Sequence, residues 1–161
     1  MNYAQLQYDV EEWSNQQPFG DQDEFRPLVG AYEELGEIYD AITVQQLEDA
    51  IGDTVIYLAD FCARDGSLLL SSPLSYQYER DVMDEIFYQM GKLSHSHLKR
   101  DQGIRTDEYG VSVDFEQEVL SRILYLLDNL AVENGTTIER SIETAWGEVN
   151  ERDWNEDPNS G

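Results

Sequence analysis

From Ile51 to Cys62 the chain reads Ile-Gly-Asp-Thr-Val-Ile-Tyr-Leu-Ala-Asp-Phe-Cys, a run with no polar face wide enough for water once it is wound into a helix. A helix that is apolar all round is stable only when other elements enclose it, so the remainder of the chain must supply its neighbours. Asp53 and Asp60 sit inside this run and are therefore expected away from open solvent. Ionised carboxylates are costly to bury unless a cation offsets them, and hard divalent ions take oxygen ligands of this kind.

The preceding stretch supplies more carboxylates. A helix over Asp23 to Ile42 has Leu28, Ala31, Leu35, Ile38 and Ile42 as its core stripe, with Glu33, Glu37 and Asp40 on the other side and Glu34 between. Thr43 with Gln46 fits a capping box that opens the next helix, which carries Asp49 and Asp53 and runs to Arg64 before Gly66. Two helices joined by so short a turn are antiparallel neighbours, which lets their carboxylates converge. A metal site and a solvated acidic face both fit this pattern, because Asp and Glu make up 34 of the 161 residues and acidic pairs at helical spacing arise from composition alone.

The charge balance narrows the surroundings. A formal net charge of −24, with 10 Lys and Arg residues, suits a cytoplasm of very high salt, in a halophilic cell or in the host of a virus, where screening suppresses the repulsion. An acidic nucleic-acid mimic is the alternative. Binding to nucleic acid itself is disfavoured, since a phosphate backbone needs a basic surface. Cys62 stands alone and reads as a core thiol. Met1 to Gln17 is polar and acidic, unlike a secretory signal, and no run reaches the roughly 18 apolar residues of a membrane span, so a cytoplasmic protein with no membrane contact is expected.

Along the chain, Asn2 to Gln16 predicts a first helix bearing Leu6, Val10 and Trp13, ended before Pro18 and Gly20. After the acidic pair of helices, Ser67 to Ser75, with Pro73, reads as a linker. A helix is expected over Tyr76 to Lys99, a loop over Asp101 to Val113, a helix from a cap at Asp114 with Gln117 to Glu133, and a last helix over Ile138 to Arg152 opened by Thr136 with Glu139. The expected fold is an all-α bundle of about six helices.

The second half echoes the first. Ile51 to Asp60 matches Val119 to Asp128 at a spacing of 68 residues, and Leu35 to Ile38 matches Met90 to Leu93 at a spacing of 55. This predicts a duplication of a helical hairpin within one domain spanning 1–161, with halves 1–70 and 71–161. Glu33, Glu34, Glu37, Asp49 and Asp53 then correspond to Tyr88, Gln89, Lys92, Gln117 and Ser121, so the second half keeps no candidate ligand. It holds instead Lys92, Lys99, Arg100 and Arg105 within one short stretch, together with His95 and His97. Those cations either neutralise neighbouring carboxylates or hold an anion. The histidines are two positions apart and diverge on a helix, so they do not form a metal pair.

Tyr32 to Glu37 and Ile51 to Leu58 resemble the Glu-Glu-x-x-Glu and Gly-Asp-(aliphatic)-x-Tyr-Leu signatures of MazG-like nucleoside triphosphate pyrophosphohydrolases, an all-α superfamily. The segment from Gly91 to Arg105 and that from Thr144 to Trp154 resemble other parts of the same superfamily. The resemblance implies a Mg²⁺- or Mn²⁺-dependent hydrolysis of a nucleoside triphosphate to monophosphate and pyrophosphate. It assigns Glu34, Glu37, Asp49 and Asp53 to the metal and Glu33 to the attacking water. Lys92, Lys99, Arg100 and Arg105 are the candidates for the triphosphate, in a composite site shared between halves. It also implies either a homodimer or, from the duplication, an intramolecular pseudo-dimer. The sequence departs from the superfamily at Ala50, where a Glu is common, so Asp49 or Glu48 must substitute, or one metal is bound more weakly. A non-catalytic binding or regulatory protein of the same fold is the competing reading.

Overall fold

The computed structural model describes residues 2–69 and 75–159, which form six α-helices and no strand. They are α1 (Tyr3–Ser14), α2 (Phe25–Asp40), α3 (Val44–Asp65), α4 (Val82–Asp101), α5 (Val113–Glu133) and α6 (Ile138–Val149). The helical bundle expected from the sequence is therefore present. The expected linker over 67–75 lies in part outside the described residues.

α3 is the axis of the molecule. It packs against α1, α2 and α6 and touches α5, while α4 pairs with α5. Ile51, Val55, Leu58, Ala59, Phe61 and Cys62 are fully enclosed, as an all-round apolar helix requires. The core that surrounds them draws on every helix, including Leu6, Leu35, Ile86, Leu124 and Ile142. Cys62 is a free core thiol whose pKa burial pushes up to about 12.

Gly52 is what lets α6 come so close to α3. A Cβ built on it would stand 2.3 Å from the Ser141 carbonyl oxygen and 2.5 Å from the Ala145 methyl, so no larger residue fits at this crossing. At the ends of α3, Thr43 and Gln46 form the capping box, and Gly66 closes the helix in the left-handed conformation with φ 75°.

Several boundaries differ from the sequence reading; α2 ends at Asp40, so Ile42, expected in its core stripe, lies beyond the helix and is exposed. α4 starts at Val82, capped by Asp81, because Tyr76 and Arg80 turn back to bond Glu85 at 2.7 Å each and hold the chain before it non-helical. α5 is capped by Ser112, whose hydroxyl accepts from the Phe115 amide, which places Asp114 within the first turn where its charge suits the helix dipole. α6 is capped by Thr137; Thr136 instead points inward and donates its hydroxyl to buried Glu48. Arg152 lies beyond the end of α6, which stops at Val149.

Candidate active site

The antiparallel pairing of α2 with α3 brings Glu34 and Asp53 to the wall of one cavity of about 480 Å³. Glu34 follows the buried stripe of α2 and precedes Leu35, so its side chain enters the molecule rather than the solvent; it is 7% exposed. Its Oε2 has no hydrogen-bond partner. Gly30, one turn earlier, leaves the room that the Tyr57 ring fills, since a Cβ there would come within 2.4 Å of it.

Carboxyl groups gather here with only partial compensation. Burial, and then the nearby Asp53, Glu37, Glu33 and Asp49, push the Glu34 pKa up to about 8. Asp53 is pushed up to about 6 by burial and by Asp49, with Arg152 opposing. All five carboxyl groups singled out in the sequence thus lie within electrostatic reach of Glu34 or Asp53. Glu33, Glu37 and Asp49 are exposed, whereas Glu34 is enclosed and Asp53 is half-buried.

The rest of the lining comes from parts of the chain far apart in sequence. Trp13 at the end of α1, Phe19 after it and Trp154 after α6 form an aromatic cluster, with ring centroids 5.5 Å apart for Trp13 and Trp154 and 5.3 Å for Phe19 and Trp154. The cluster is held by backbone contacts: Trp13 Nε1 donates to the Arg152 carbonyl at 3.2 Å, and the Trp154 amide donates to Gln17 Oε1 at 3.1 Å. Arg26 and Arg152 add two guanidinium groups to the lining. Asp60 also borders the cavity but is already bound by Ser14 Oγ at 2.8 Å, Gln22 Nε2 at 3.1 Å and Arg64 Nε at 2.9 Å. It holds α1, the following loop and α3 together.

The basic segment of the second half is placed elsewhere. None of Lys92, Lys99, Arg100 and Arg105 lines the cavity that Glu34 and Asp53 share. The reason is that α4 pairs with α5, away from the mouth formed by α1, α2 and the segment after α6. Lys92 lies over the Tyr88 ring, Lys99 donates to Gln102, and Arg105 is 3.8 Å from Glu108. The cations that do reach the cavity are Arg26 and Arg152, which the sequence reading did not single out. Their signal was weak, since each is an isolated arginine; only the likeness of Thr144 to Trp154 to the superfamily pointed near Arg152.

Arg100 closes a separate buried network. Its guanidinium bonds Asp65 at 2.7 Å and Glu116 at 2.8 Å, next to the His97 ring. Asp65, His97 and Glu116 present ligand atoms within 4.8 Å of one another and can hold a metal ion. In this structure the Arg100 nitrogen stands between the two carboxylates as their counter-charge. Burial alone would raise the Glu116 pKa, but the nearby His97 ring and hydrogen bonds from Arg100 and Ser96 outweigh it and hold the carboxyl down to about 2. Burial likewise opposes a charge on His97, and the pull of the Glu116 and Asp65 carboxylates overcomes it, so its pKa is raised. The histidines do not pair; His97 is in this network and His95 is exposed on another face.

Comparison of the chain with family models, with curated proteins and with solved structures finds no match. The cavity's residues and their chemistry therefore carry the functional argument.

Proposed function

We propose that the chain is a Mg²⁺-dependent nucleoside triphosphate pyrophosphohydrolase of the MazG-like kind. The observation that carries this reading is the buried, unpartnered carboxylate oxygen of Glu34 on a wall it shares with Asp53. Burial and mutual repulsion hold both carboxyl groups above the usual carboxylate range, and the opposing charge of Arg152 on Asp53 does not offset this. Their oxygen donors suit a hard divalent ion, Mg²⁺ or Mn²⁺. Glu34 and Asp53 would hold it, joined by Glu37 and Asp49 from the exposed side. When bound, such an ion supplies charge neutralisation at phosphate oxygens and lowers the pKa of a bound water.

The chain's own groups suit the rest of the substrate. Arg26 and Arg152 offer forked donors for phosphate oxygens. Trp13, Phe19 and Trp154 offer aromatic faces against which a base can stack. Volume agrees, since about 480 Å³ falls within the range of small-molecule sites. In the reaction, water attacks the α-phosphorus, the bond to the bridging oxygen breaks, and pyrophosphate leaves with that oxygen. Glu33, exposed and next in sequence to Glu34, orients the water and accepts its proton. The acidic composition fits a protein that works at high salt.

The test is pyrophosphate release from a panel of ribo- and deoxynucleoside triphosphates in molar KCl, with and without Mg²⁺. Wild type should release it only with the metal, and Glu34→Gln should lower kcat by a factor of at least about 100, in line with the loss of an electrostatic contact made in the transition state. No release from any nucleotide by folded protein would overturn the reaction and leave the cavity as a binding site.

A further inference from the structure

Along α4, Phe87, Tyr88, Gly91, Lys92 and His95 recur at the spacing of one helix face, and they wall a groove of about 510 Å³ together with Phe115. Gly91 leaves the backbone bare in the middle of that face: a Cβ there meets nothing within 4 Å. Tyr109 stands at the groove almost wholly exposed, with its ring centroid 5.9 Å from that of Phe115. Phe115 packs partly against the core, whereas Tyr109 is 94% exposed, and with exposed Phe87 they give the groove an apolar, flat-ringed lining open to solvent.

Its charge is the reverse of the rest of the molecule. The chain has 34 acidic residues and 10 Lys and Arg, yet the groove's lining contains no Asp or Glu and does contain Lys92, His95 and Arg122. Arg122 also pairs with Glu118. The Lys92 ammonium lies 4.4 Å from the Tyr88 ring centroid and makes no ion pair with a described carboxylate. In a chain of net charge −24 a carboxylate-free, cationic surface fits an anion, and its aromatic rings fit a planar ligand.

We propose that this groove is a second ligand site, for a nucleoside phosphate, separate from the cavity of Glu34 and Asp53. The base lies against Phe115 and Tyr109, and the phosphate faces Lys92, His95 and Arg122. No carboxylate lines the groove, so binding needs no divalent cation. The inference does not depend on the reaction proposed above. A groove this small suits a mononucleotide rather than an extended acidic peptide, which would need a longer track of cations.

His95 and His97 are the only histidines, and His97 is buried, so the imidazole signal of His95 in a proton NMR spectrum reports on the groove alone. The protein is titrated with AMP, GMP, CMP and UMP in turn, with EDTA present and in salt that keeps it folded. At least one should shift the His95 signal saturably while the indole signals of Trp13 and Trp154 stay in place. Adenosine and inorganic phosphate, each alone, should bind more weakly than the joined molecule. Gly91→Leu fills the groove and Lys92→Glu reverses its charge; both positions are accessible, and an unchanged His97 signal shows that each variant is folded. Each should weaken binding at least tenfold. No His95 shift with any of the four nucleotides, an equal affinity in both variants, or a shift confined to the indoles overturns the proposal.

Discussion

Glu34 shows how much of a site a single side chain can carry. Its pKa of about 8 in the fold, against 4.5 for an unperturbed glutamate, means that the folded protein binds a proton there more tightly than the unfolded chain does. Stability of the metal-free protein is therefore highest below the unfolded value and falls as pH rises from about 4.5 through about 8, above which the loss is complete. Asp53 adds a loss of the same sign between 3.8 and about 6. Glu34→Gln removes the first of these, so the melting temperature of the variant should gain on that of wild type as pH is raised from 5 to 9 without metal. Mg²⁺ should close the gap at the alkaline end by stabilising wild type alone. A difference between the two proteins that stays constant over this range would show that the Glu34 carboxyl does not titrate as its surroundings require. The sequence identified Glu34 through its neighbours and not through its environment. Periodicity set it between the two faces of α2, and only the packing of α3 decides that it is enclosed.

At the scale of helices, the axis and its caps were legible and the crossings were not. The apolar run from Ile51 to Cys62 allowed one outcome, enclosure, and Thr43 with Gln46 and Gly66 fixed where that helix begins and ends. The contact of α6 with α3 depends on Gly52, which in the sequence is indistinguishable from the exposed helical glycines Gly36 and Gly91. Gly52→Ala should cost about 1–3 kcal/mol, the usual cost of overpacking a tight contact, and the more because the obstructing atom is backbone, the Ser141 carbonyl. Gly36→Ala, by contrast, should stabilise α2 by about 0.5–1 kcal/mol through helix propensity. Urea denaturation of the two variants separates these effects, and equal midpoints would refute the close crossing. The start of α4 was illegible for a related reason: Tyr76 and Arg80 are held out of the helix by Glu85, a contact that propensity does not encode.

For the molecule as a whole, charge sets the working conditions. With a net charge of −24 the fold works against its own repulsion, and the Debye length shrinks from about 30 Å at 0.01 M salt to about 3 Å at 1 M. The melting temperature should therefore climb steeply with KCl over that interval; a flat profile would remove the argument for a high-salt protein. No described helix is long and apolar enough to cross a membrane. The basic stretch from Lys92 to Arg105 was legible as unusual, but its division between a buried counter-charge at Arg100 and an open groove at Lys92 was set by which face of α4 meets α5. The cavity carries one more implication. Trp13 grips the carbonyl of a residue 139 positions away, and the two line the same hollow. During synthesis, α1 through α6 can bury their apolar faces before the segment after α6, which carries Arg152 and Trp154, completes the lining of that hollow. Ligand-binding competence is thus acquired as a final event, after the core, and a folded chain whose segment beyond α6 has come undone would be well packed and yet unable to bind.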